Sequence, residues 1–157
     1  MAKMVNIPYG EIEIGATATF SKTLTEEDIV LFAKTSGDVN PVHLNDEYAQ
    51  TTPFKGRIAH GMWSAGLISA GLATVMPGPG TVYLGQNLSF RRPVMLGDEL
   101  TVNLKVLDKD DKKRFVTVET IVVNQDGKTV VQGEAQVMVP AEKIEIDVPE
   151  LPDITIS

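Results

Sequence analysis

Apolar positions change period along this chain, and the changes mark its elements. In residues 16–24, Ala16, Ala18, Phe20 and Leu24 alternate with Thr17, Thr19 and Thr23, the two-residue repeat of a half-buried strand. Ile29, Phe32, Ala33 and Ser36 then recur at i, i+3, i+4 and i+7, behind Thr25 and the acidic run Glu26, Glu27 and Asp28. That pattern predicts an amphipathic helix capped by Thr25, ending near Ser36, with Gly37 as its left-handed C-terminal cap. Pro41 restrains the next segment, so residues 37–45 read as a short, stiff connector loop, and Asn45-Asp46-Glu47-Tyr48-Ala49 predicts another capped helical turn.

From residue 58 to about 76 the chain is apolar nearly all round and rich in small residues, among them Gly61, Ser64, Gly66, Ser69 and Gly71. Such a helix expects to be enclosed, with the small residues allowing close approach of a sheet or a ligand. Pro77-Gly78-Pro79-Gly80 stops it. Strand patterns follow at 81–94, 99–107, 115–123 and 129–139, joined by hairpin-sized turns at 108–113 and at Asn124-Gln125-Asp126-Gly127. One buried helix followed by an antiparallel meander predicts an α+β domain whose curved sheet wraps the helix. Residues 1–15 read as an N-terminal extension, 16–140 as a single domain, and 141–157 as an acidic tail free to extend along the surface or a partner.

Composition narrows the chemistry. A formal net charge of -7 disfavours nucleic acid and anionic membrane as partners. With no cysteine there is no disulfide, thiolate nucleophile or cysteine-bound metal, and only two histidines, His43 and His60, remain. The first eight residues lack a sustained apolar run and the stretch 62–76 is too short to span a bilayer, which predicts a cytoplasmic protein with no membrane segment.

Asp38 and His43 stand five positions apart, with Gly37 and Pro41 restraining the path between them. A stiff loop of this kind aims two side chains at one point, as acid/base work on a water or substrate proton requires. The plainer alternative is that Asp38 and Asn40 cap the turn after Gly37 and His43 merely begins the next helix. The whole string decides between them. Phe32-Ala33-Lys34-Thr35-Ser36-Gly37-Asp38-Val39-Asn40-Pro41-Val42-His43 closely resembles the signature of the R-specific enoyl-CoA hydratases, the MaoC-like or hydratase 2 family. The likeness continues through Arg57-Ile58-Ala59-His60-Gly61-Met62, residues 82–94 and Gly97-Asp98-Glu99-Leu100.

The resemblance implies a hot-dog fold, dimers or higher homo-oligomers with an acyl tunnel near the interface, and an acyl-CoA or acyl-carrier-protein thioester as substrate. It makes Asp38 and His43 the catalytic pair, the backbone N–H of Gly61 a donor to the thioester oxygen, and Ser69 a residue that shapes the site; it implies no metal or other cofactor. Asn40 is expected to brace the loop; Leu72, three positions after Ser69, is a candidate for the acyl tunnel wall, with core packing the stronger reading for a helical leucine. His60 reads as a packing residue rather than a third catalytic group. Arg91, Arg92, Lys55 and Arg57 are candidates for the CoA phosphates. The implied reaction is the R-specific hydration of trans-2-enoyl-CoA and its reverse; a thioesterase on the same fold and a catalytically silent acyl-CoA-binding protein are the alternatives.

Overall fold

The computed structural model describes residues 2–157; Met1, the start of the expected N-terminal extension, lies outside the described residues. Elements follow in the order β1 (Lys3–Val5), a 3-10 turn (Tyr9–Glu11), β2 (Thr17–Thr23), α1 (Glu26–Ser36), α2 (Pro41–Leu44), α3 (Asp46–Gln50), α4 (Gly61–Thr74), β3 (Val82–Gln86), β4 (Ser89–Phe90), β5 (Glu99–Asp110), β6 (Phe115–Val123), β7 (Thr129–Met138) and β8 (Glu145–Asp147).

The large sheet is antiparallel throughout, ordered β2-β5-β6-β7-β3, with β4 also paired to β7. Only β5, β6 and β7 form the expected meander; β2 and β3 occupy the two edges, so the chain crosses from one edge to the other through the helices. Leu100, Val102, Leu104 and Val106 of β5 are buried at every second position, as are Val116, Val118, Thr120 and Val122 of β6. Trp63, Leu67, Ile68 and Leu72 of α4 meet that face to form the core. This is the hot-dog arrangement, a central helix held in an open, curved antiparallel sheet.

Two boundaries differ from the pattern reading. The helix expected from residue 58 begins at Gly61, because residues 58–60 are extended: Ile58 bridges to Met95, and the Ala59 N–H donates to the Val94 carbonyl at 2.8 Å. The strand expected over 81–94 breaks after Gln86, where the Asn87 carbonyl passes over Gly133 so closely that a Cβ there would lie 1.8 Å from it. The two chain ends are joined. β1 pairs with β8, and Asn6 is buried between them, its Nδ2 donating to the Glu142 carbonyl and its Oδ1 accepting from Ile144 N–H.

The small residues of α4 serve two different faces. At Gly71 an added Cβ would sit 3.3 Å from Leu104 Cδ1 and 3.5 Å from Phe20 Cβ, so helix and sheet are closely packed here; at Gly66 it would meet nothing within 4 Å. Gly71→Val is therefore expected to cost about 1–3 kcal/mol through overpacking. Gly66→Ala, at an open helical position, is expected to gain about 0.5–1 kcal/mol. Urea unfolding midpoints check both, and equal effects at the two sites would contradict this division of the helix.

Candidate active site

Helix α1 delivers the chain to the site. Thr25 and Asp28 form a capping box at its start, and Gly37, at φ 83°, closes its end by donating its N–H to the Ala33 carbonyl. The reversal at Gly37 presents Asp38 to solvent. Its Oδ1 accepts the N–H of Asn40 at 3.1 Å, while Asn40 Oδ1 accepts the N–H of Val42 at 3.2 Å and so caps α2. Both acidic and amide side chains thus do cap turns, but Asp38 uses one oxygen for it and keeps Oδ2 free for other work. The expected loop 37–45 contains a helical turn, Pro41–Leu44, because Pro41 at its first position sacrifices no hydrogen bond. His43 lies on that turn and is buried.

The extended segment ahead of α4 holds this loop at successive points. Arg57 Nε donates to the His43 carbonyl at 2.7 Å, the Ile58 carbonyl accepts from His43 Nδ1 at 2.8 Å, and His60 Nε2 donates to the Asp38 carbonyl at 2.9 Å. Arg57 is buried and its Nη1 pairs with Glu26 at 2.9 Å. It is thus committed inside the protein, which removes it from the candidates for CoA phosphates. The periodic pattern does not reveal this strap, since nothing in the spacing of 57–60 marks it as the partner of 38–43.

A carbonyl only accepts, so His43 carries its hydrogen on Nδ1 and turns the bare Nε2 toward Asp38 Oδ2, 4.0 Å away. Burial pushes the His43 pKa below its ordinary 6.5, and the neighbouring His60 adds to this; the Ile58 carbonyl and Asp38 act in the opposite direction. The His43 and His60 rings stack with centroids 3.8 Å apart and planes inclined by 27°. Asp38, His43 and His60 bring one donor atom each within 4.8 Å of one another. Distance alone would admit a metal, but the stack carries the two imidazole lone pairs in separate, nearly parallel planes, an arrangement better suited to proton exchange than to a shared ligand point.

Gly61 is the first residue of α4, where the backbone N–H has no partner within the helix and stands at the positive end of its dipole. It lies where cavities meet. One, of about 330 Å³, is lined by His43, His60, Ser64, Arg91 and Arg92; another, of about 530 Å³, by Asp38, Phe32 and Phe90; Gly61 borders both. A third, of about 580 Å³, shares Phe32, Met62 and Phe90 with the second and extends along Gly66 and Ser69 to Tyr83. Ser69 therefore stands on the wall of the most apolar space. Leu72 does not: it is buried in the core, facing the sheet rather than the cavity. Lys55 lines none of these three spaces. Phe32, Met62 and Phe90 were not legible as wall residues, because each also fits an ordinary apolar pattern.

Comparison with known proteins agrees with this architecture. The family model described as a MaoC like domain matches residues 11–128. An (R)-specific enoyl-CoA hydratase of Rhodospirillum rubrum is 51% identical over 133 residues, covering 85% of this chain and 92% of that protein. A 3-hydroxybutyryl-CoA dehydratase of Methylorubrum extorquens is 42% identical over 135 residues, covering 86% and 85%. Among solved structures, the unliganded R-hydratase PhaJ1 of Pseudomonas aeruginosa superposes with a TM-score of 0.96 at 55% identity, over 99% of this chain and 100% of that one. The extent of these matches, together with the fold and the site they cover, places the chain in the MaoC-like domain family.

Proposed function

We propose that this chain adds water to trans-2-enoyl-CoA to give (R)-3-hydroxyacyl-CoA, and removes it in the reverse direction, with Asp38 and His43 as the acid/base pair. The observation that carries this reading is the 4.0 Å separation of Asp38 Oδ2 and His43 Nε2, two proton acceptors too far apart to bond each other. A water at about 2.8 Å from each would subtend an angle of roughly 90° between them, close to the angle between its own two hydrogens. The pair thus cradles one water by both protons and leaves its lone pairs free for an electrophilic carbon.

Hydration forms a C–O bond at Cβ and a C–H bond at Cα, and between them the electrons of the double bond pass to the thioester oxygen. The Asp38/His43 pair takes a proton from the water and returns one to Cα, acting as a coupled unit. Lowering of the His43 pKa keeps its ring uncharged at neutral pH and ready to accept. The Gly61 N–H, at the helix terminus between the cavities, receives the thioester oxygen as it gains charge. On one side Arg91 and Arg92 offer guanidinium groups that suit CoA phosphates; on the other, the apolar space along Gly66 and Ser69 suits an acyl chain. Asn40 braces the loop. The names of the relatives favour hydration over a thioesterase, and no observation favours silent binding.

In the same reading residues 16–140 are the catalytic domain, its clasped ends 1–15 and 141–157 are accessory, and the protein acts in the cytoplasm as a homodimer. Among the described residues no helix is long and apolar enough to cross a membrane. Edge strand β3 exposes Val82, Tyr83 and Leu84, and Tyr83 also borders the apolar cavity, so a second copy over β3 would close that space.

Asp38→Asn, which can still cap through its amide oxygen, and His43→Ala should each lower the kcat for crotonyl-CoA hydration by about 10²–10⁴-fold without unfolding the protein. In the unmodified enzyme, kcat/KM should fall on acidification through a midpoint below 6.5, since protonation of His43 removes its acceptor; a midpoint above 6.5 would contradict the role given to the buried ring. Gly61→Pro removes the N–H at a helix position that tolerates proline, and His60 before it already has the extended ψ of 136° that proline demands. Its kcat should fall about 10²–10³-fold below that of Gly61→Ala, which controls for crowding against Phe90. Sedimentation should find dimers, and a monomer at assay concentration with full activity would exclude an interface tunnel.

A further inference from the structure

His60 is a buried titratable group beside the acid/base pair that the chemistry leaves unused. It is 2% exposed and caps α4 by position, yet its side chain makes no capping hydrogen bond. Its Nε2–H is spent on the Asp38 carbonyl at 2.9 Å, and its Nδ1 is buried without a partner. One face lies on His43 with centroids 3.8 Å apart, and Phe32 packs against the ring at 4.8 Å. A residue placed here for packing alone would do better without a polar ring, since an unpartnered buried nitrogen costs stability. A residue placed for helix capping would turn its acceptor toward the α4 N–H groups. What this ring accomplishes is to hold the Asp38 main chain and the face of the His43 imidazole at once, where Asn40 reaches His43 only through the His43 backbone N–H.

We propose that His60 is a positioning residue: its Nε2–H fixes Asp38 through the main chain while its face fixes the plane of His43, and together these contacts hold the gap that one water spans. The inference rests on the assignment of Asp38 and His43. A donor and a ring face are separable chemically, because glutamine places an amide N–H near the Nε2 position without a ring, whereas phenylalanine keeps the ring and loses the donor. Alanine keeps neither.

The test measures kcat and KM for crotonyl-CoA in His60→Gln, His60→Phe and His60→Ala, with thermal unfolding to establish that each is folded. The expected result is a loss in kcat of about 100-fold for alanine, since a displacement of about 1 Å at a reacting group has that effect, with partial rescue by both glutamine and phenylalanine and KM within about threefold. Histidine ring NMR supplies a readout that a purely structural role would not move. The chain has two histidines, so in His60→Gln the signals belong to His43 alone. Its hydrogen should stay on Nδ1, held by Ile58, while its titration midpoint rises as the stacked ring that helps to bury it is removed. The charged or titratable groups around it are then Asp38 at Nε2, the Arg57 guanidinium at its main-chain carbonyl, and Arg91 and Arg92 on the wall of the cavity it lines. Folded variants with unchanged kcat, a raised KM at unchanged kcat, or an unmoved His43 titration would each overturn the proposal. Should alanine fail to fold, the glutamine and phenylalanine variants decide it. Activity surviving in Asp38→Asn and His43→Ala would instead overturn the acid/base assignment itself.

Discussion

A carbonyl oxygen cannot donate, so the 2.8 Å contact between Ile58 O and His43 Nδ1 determines which nitrogen of His43 carries hydrogen and which is left bare. Everything else at the site depends on that choice. Had the hydrogen stood on Nε2, it would point at Asp38, and a molecule between the two would have to accept from one and donate to the other. With Nε2 bare, two acceptors face one another across 4.0 Å and the space between them is suited to a molecule that donates twice. The carbonyl can play this part because residues 58–60 are extended and pinned to Val94 and Met95, which withholds it from the helix that begins at Gly61.

The pair is asymmetric, and the asymmetry is useful. Asp38 is exposed at the end of α1; His43 is buried, where charge is costly. The buried partner is thereby held neutral and rigid while the exposed one has access to solvent and substrate. The same helix start that ends the extended strap supplies the unpaired N–H of Gly61. Asp38, His43 and the Gly61 N–H are thus all placed by a segment only a few residues long.

Much of this was legible in the sequence. The capping box at Thr25, the left-handed Gly37 and the capped turn at Asn45 are local arrangements, encoded within a few residues, and they stand where the pattern puts them. The alternating positions of β6 are equally plain, because burial on one face imposes a period that composition cannot hide. The string from Gly37 to His43 carries the family. Helix α4 starts three residues beyond the boundary its apolar run suggests, since residues 58–60 are held by Val94 and Met95, distant in the chain, whereas α2 stands where the pattern gives loop for the local reason that Asn40 caps it and Pro41 begins it.

The sequence by itself therefore determined strands β2, β5, β6 and β7, helices α1 and α3, the body of α4, the family and the two residues that face each other, because caps, periods and motif spacing are local properties. Tertiary structure alone decided that Leu72 faces the sheet and Ser69 the cavity, that Arg57 is spent on Glu26 and the His43 carbonyl, and that His60 spans Asp38 and His43. Those outcomes turn on which surfaces and hydrogen-bond partners meet after the chain has crossed the sheet. No spacing along the chain records a contact of that kind.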